Sequence, residues 1–175
     1  MMSRNRGLVL INTGDGKGKT TAALGMLLRA WGHDMKVIML QFIKSSTANF
    51  GEHRAARRIG IEIVTRGAGF IHQGNNAEKN KQLSLELWDI AAAKISSGDY
   101  HMVVLDELTY PLRYGWLSVD RVIDVIRQRP PGVHVVITGR LAPRELIDLA
   151  DMVVEMKDIK HHLQAGIKAQ PGIEF

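Results

Sequence analysis

Residues 13–21 read Thr-Gly-Asp-Gly-Lys-Gly-Lys-Thr-Thr, a glycine-rich turn closed by a lysine and two hydroxyls. The turn follows an apolar run and opens an Ala- and Leu-rich stretch, which is the strand-to-helix setting a phosphate-binding loop requires. Gly14, Gly16 and Gly18 let the backbone curl so that successive N–H groups point inward. A helix starting near Lys19 adds its positive end, Lys19 supplies a mobile charge, and Thr20 is placed to put its hydroxyl on Mg2+. The match to G-x-x-x-x-G-K-[ST] is imperfect, because Thr13 stands at the first glycine position and Lys17 adds a cation inside the loop. Residues 14–20 therefore read as a grip on the triphosphate of ATP, without saying which bond breaks.

The second half of such a site is a carboxylate at the end of another strand, facing the loop across a metal. Met102-Val-Val-Leu-Asp-Glu has that form and offers Asp106 and Glu107. A conventional ATPase would use Asp106 for the metal and Glu107 as the base for water, so these two motifs alone predict hydrolysis or phosphoryl transfer.

These groups need a scaffold that brings strand ends together. Residues 8–11, 37–42, 61–64, 102–105, 133–138 and 152–156 are short apolar runs rich in Val and Ile, suited to strands buried on both faces. Helical patterns lie between them at 20–31, 52–59, 77–95, 119–128 and 144–149, with Ser118 as a cap and Pro143 as an opening. On the third helix Leu83, Leu87, Ala91 and Ile95 recur every four residues and predict one core-facing stripe. Alternating strands and helices imply right-handed crossovers and a mostly parallel sheet covered on both sides, an α/β fold that binds ligands at the carboxyl ends of its strands.

At 175 residues the chain is expected to form a single domain, and 45% hydrophobic against 23% charged residues is ordinary globular usage. The absence of cysteine excludes disulfides, thiolate nucleophiles, iron–sulfur clusters and thiolate zinc sites. His33, His53, His101, His134 and His162 show no ligand spacing with one another, so a zinc site is not expected. The opening apolar run is too brief for a signal peptide or a membrane span, and the expected location is the cytoplasm, with no membrane partner. A net charge of +5 favours polyanionic partners. Aromatics are only 6% and do not interleave with Lys or Arg as a stacking platform would, so nucleic acid is not the expected one.

Taken with the loop, the remaining segments resemble the ATP:corrinoid adenosyltransferases, enzymes of RecA-like P-loop fold that convert cob(I)alamin to adenosylcobalamin. The resemblance runs through T-G-D-G-K-G-K-T-T-A-A at 13–23, Q-F-I-K at 41–44, G-F at 69–70 and V-V-L-D-E-L-T-Y at 103–110. It continues through T-G-R at 138–140, D-L-A-D at 148–151, K-H at 160–161 and A-G-I-K-A-Q-P-G-I-E-F at 165–175. In that family the reduced cobalt attacks the 5′-carbon of ATP and the whole triphosphate leaves, with ATP lying reversed in the loop. The resemblance puts ATP on Gly14, Asp15, Gly16, Lys17, Gly18, Lys19, Thr20 and Thr21, and lets Arg29 reach its nucleoside end. Lys17, Lys19 and a Mg2+ held by Thr20 and Glu107, with Asp106 beside them, are the candidates for neutralising the departing triphosphate.

Phe70 matches a wall residue that closes against the corrin ring, and Lys160 and His161 match a segment near the corrinoid. Where relatives often carry tryptophan this chain has His72, an imidazole that could fill space or ligate cobalt. Residues 1–7 precede the first predicted strand, so the N-terminal segment with which longer relatives cap a neighbouring subunit is expected to be short or absent, in a homodimer by resemblance. With no cysteine, flavin or nicotinamide motif, a separate reductase or reduced flavoprotein is expected to supply the electron.

Overall fold

The computed structural model describes residues 6–45, 50–69 and 76–174. In chain order the elements are β1 (Val9–Thr13), α1 (Lys19–Trp31), β2 (Val37–Phe42), α2 (Gly51–Ile59), β3 (Glu62–Arg66), α3 (Ala77–Ser97) and β4 (Met102–Asp106). There follow α4 (Thr109–Arg113), α5 (Val119–Arg127), β5 (His134–Thr138), α6 (Arg144–Leu149), β6 (Met152–Glu155) and a 3₁₀ turn at His162–Ala165. The six strands form one parallel sheet in the order β3-β2-β4-β5-β1-β6.

Successive strand side chains point to opposite faces, so each apolar run feeds two cores. Leu10, Met39, Val104 and Val136 face α1 and α2, meeting Ala23, Leu27, Ala30 and Ala56. Ile11, Leu40, Leu105 and Ile137 face the other way, against Leu87, Trp88, Ala91 and Ile95 of α3 and Val122 and Ile126 of α5. Double burial therefore holds for β1, β2, β4 and β5. It does not hold at the sheet edges, where β3 is only partly buried and Met152, Val153 and Val154 of β6 are 43%, 38% and 40% exposed. The reason is position: β6 has one neighbour strand and is followed by the chain's tail instead of a covering helix.

The α3 stripe starts differently from the expectation. Asn80 and Ser84 occupy the first two buried positions and Leu83 is only half-buried, while Leu87, Ala91 and Ile95 are buried as expected. Asn80 is used as an anchor, accepting from Ala68 N at 2.8 Å and donating to Gly69 O at 3.1 Å.

Ser118 caps α5 by accepting from Arg121 N at 3.3 Å. Ser118→Ala should lower stability by about 1 kcal/mol, the usual loss of such a cap, in a urea-unfolding comparison with wild type. No helix among the described residues is long and apolar enough to cross a membrane.

Candidate functional site

Strands β1 and β4 flank β5, so the phosphate loop after Thr13, the carboxylates at Asp106 and Glu107, and Thr138 meet at the carboxyl edge of the sheet. The loop is packed against the exit of β6. Gly14 has φ +93°, and a Cβ there would lie 2.4 Å from Met156 O. One on Gly16 would lie 2.6 Å from Lys157 O, in a loop whose Gly16 N donates to Met156 O at 2.8 Å. Those glycines are demanded by close backbone approach. Thr13, the departure from the glycine pattern, earns its place by accepting from Ala142 N at 3.2 Å.

Gly18 precedes α1 with no side-chain cap and no acidic residue follows in the first turn. The first amides of that 13-residue helix are therefore left for an anion, together with the positive end of its dipole. Lys19 is 7% exposed and curls over the loop, donating from Nζ to Gly14 O at 2.8 Å and Gly16 O at 2.6 Å. Burial pushes its pKa down against the opposing pull of Glu107, and Arg140 adds to the decrease.

Thr20 Oγ1 donates to Asp106 Oδ1 at 2.8 Å, and Thr138 Oγ1 donates to the same oxygen at 2.6 Å. The other oxygen, Oδ2, accepts from Gln41 Nε2 at 3.1 Å and Lys44 Nζ at 3.0 Å. Asp106 is fully buried, with two donors on each of its carboxylate oxygens. Glu107 sits at φ +61°, its N–H donates to Thr138 Oγ1 at 2.9 Å, and its Oε2 is buried without a hydrogen-bond partner among the described residues. Burial raises its pKa, Asp106 raises it further, and Lys44, Lys19 and Arg140 oppose the shift. The unpartnered Glu107 carboxylate oxygen and the Thr20 hydroxyl held by Asp106 are hard oxygen donors, the kind that fits Mg2+.

Lys17 is ion-paired with Glu174 of the tail, and His162 Nε2 lies 2.9 Å from the same carboxylate. His161 stacks on His162 with ring centroids 4.6 Å apart and accepts from Leu163 N at 3.2 Å. The tail carrying Lys160 and His161 is thus brought to the phosphate loop. Asp15 is 3.6 Å from Arg140 at the exposed mouth. Thr21 lies in the first turn of α1 with an exposed side chain, and Arg29 lies in its last turn, about 15 Å along the axis from Lys19. Arg29 is not brought to the loop and remains a proposed contact for the nucleoside end alone. Phe70 and His72 lie outside the described residues.

Sequence reading singled out neither Lys44, Gln41 and Arg140 nor Glu174 as site residues. Lys44 is the most consequential of these. Burial opposes its charge, yet Asp106, Glu52 and Glu107 outweigh that cost and hold its pKa above the ordinary lysine value. Its Nζ is also 3.5 Å from Glu52.

Fold and site define a P-loop nucleotide-binding protein of the RecA-like kind. Within that class the chain belongs to the family described as ATP:corrinoid adenosyltransferase BtuR/CobO/CobP, whose model matches residues 5–175. It is 43% identical to a corrinoid adenosyltransferase of Pseudomonas aeruginosa, over 97% of this chain and 84% of that protein. It is 40% identical to a corrinoid adenosyltransferase of Escherichia coli K12, over 97% and 86%. A third relative of that name, from Sinorhizobium, is 38% identical over 97% and 81%.

Proposed function

We propose that residues 1–175 act as one domain that transfers the 5′-deoxyadenosyl group of ATP to the reduced cobalt of a corrinoid and releases inorganic triphosphate. In the step itself Co(I) supplies an electron pair to C5′, the Co–C bond forms, and the C5′–O bond breaks with its pair passing to the triphosphate. Family membership across nearly the whole chain carries the choice of this reaction over phosphoryl transfer.

The leaving group gathers negative charge along its length, so cations must line it and no base is needed to activate water. The first-turn amides of α1, Lys19 and Lys17 are the groups proposed to meet that charge, with Gly14, Asp15, Gly16, Gly18 and Thr21 shaping the cradle. Thr20 and Glu107 would hold Mg2+, which supplies further charge neutralisation, and Asp106 would set the Thr20 hydroxyl. Lys17 must exchange Glu174 for phosphate or share between them, which links the tail to nucleotide arrival. Phe70, His72, Lys160 and His161 are proposed to contact the corrinoid. A separate reductase or reduced flavoprotein would deliver the electron, and a homodimer in the cytoplasm is the proposed assembly, favoured by the uncovered apolar side chains of β6.

The test is incubation with Mg-ATP and chemically reduced cobalamin, followed in the visible spectrum. Formation of adenosylcobalamin at a rate that scales with enzyme supports the reading, and binding of both substrates without any alkylated product refutes it.

A further inference from the structure

Asp106 is held from behind as well as from the loop, and the groups behind it belong to no nucleotide motif. Gln41, fully buried on β2, donates from Nε2 to Asp106 Oδ2 at 3.1 Å. Its Oε1 faces His53 Nε2 of α2 at 2.6 Å and accepts from Thr65 Oγ1 of β3 at 3.1 Å. His53 is 7% exposed, stacks on Phe50 with centroids 5.8 Å apart, and receives Phe50 N on its Nδ1 at 3.2 Å.

The polarity of this chain is fixed at one end. A backbone N–H can only donate, so Nδ1 of His53 must accept, which puts the proton on Nε2 and makes that nitrogen the donor to Gln41 Oε1. The Gln41 amide is then locked with its NH2 toward Asp106. Thr65 cannot impose this direction alone, because a hydroxyl rotates to accept as readily as to donate. Flipped, the amide would set its oxygen against Asp106 Oδ2, and the carboxylate that aims the Thr20 hydroxyl would lose a donor.

We propose that His53, acting through Gln41, is a positioning residue for Asp106 and Thr20, so that α2 sets the affinity of the site for Mg-ATP. This rests on the reading that Mg-ATP binds at Thr20 and Glu107. Removing an outer partner of a metal site typically costs about tenfold or more in metal affinity.

The experiment is calorimetric ATP binding to the full chain at a series of Mg2+ concentrations, with thermal midpoints measured in parallel. His53→Leu should raise the Mg2+ needed for half-maximal ATP affinity about tenfold while the KM for corrinoid stays at the wild-type value. His53→Asn, too short to reach Gln41, should show the same increase and carries the test should the leucine variant not fold. His53→Gln restores a donor at the reach of Nε2 and should recover to within about threefold of wild type. In a Gln41→Leu background, His53→Leu should add nothing. Wild-type Mg2+ dependence in His53→Leu or His53→Asn, no recovery in His53→Gln, or additive effects in the double variant, would overturn the proposal whatever the thermal midpoints do. Failure of the wild-type protein to bind ATP in a Mg2+-dependent way would instead remove the functional reading beneath it.

Discussion

Lys19→Ala should slow adenosyl transfer about a hundredfold, a loss of roughly 3 kcal/mol of transition-state stabilisation. The side chain is buried and already committed to the loop through Gly14 O and Gly16 O, so it enters the reaction without first having to be ordered. Its charge is partly desolvated, and a desolvated cation interacts more strongly with phosphate than one in water. Alanine leaves both the loop carbonyls and the departing triphosphate without that partner. The measurement is the single-turnover rate with saturating Mg-ATP and pre-reduced corrinoid. A rate within threefold of wild type would remove Lys19 from the proposed chemistry.

The largest stability effect should come from Asp106→Ala, about 3 to 5 kcal/mol in urea unfolding, because removing one member of a buried ion pair strands the other. Lys44 would be left with burial opposing its charge and its 3.0 Å partner gone, while Gln41, Thr20 and Thr138 would each lose an acceptor. Adding Lys44→Met should recover part of the loss, since the stranded cation goes with it. A single-variant loss under about 1 kcal/mol, or a double variant that is merely additive, would show that Asp106 is not the hub of these contacts.

The phosphate loop and the strand-end carboxylates were legible in the sequence because each is a contiguous run whose chemistry is local. The groups that hold them were not. Gln41, His53 and Thr65 are scattered over two strands and a helix, and Gln41 sits inside an apolar run where one polar residue carries little signal. Asn80 and Ser84 hid in the same way, continuing the helical spacing of Leu87, Ala91 and Ile95 with polar side chains that pattern reading passes over in favour of Leu83. Helix α4 is not among the helices the sequence pattern predicts; at five residues it is too short to show a period, and its Pro111 falls in the first turn, where an absent N–H would have had no partner anyway. The exposure of β6 was illegible because a Val-rich run cannot announce whether it will be central or at an edge.

The most direct test of the central claim uses ATP carrying heavy oxygen between C5′ and the α-phosphorus, incubated with Mg2+ and reduced corrinoid. Attack on carbon predicts that the heavy oxygen leaves in inorganic triphosphate, in step with adenosylcorrinoid. Heavy oxygen retained in ADP, with phosphate released and no adenosyl group on cobalt, would contradict it.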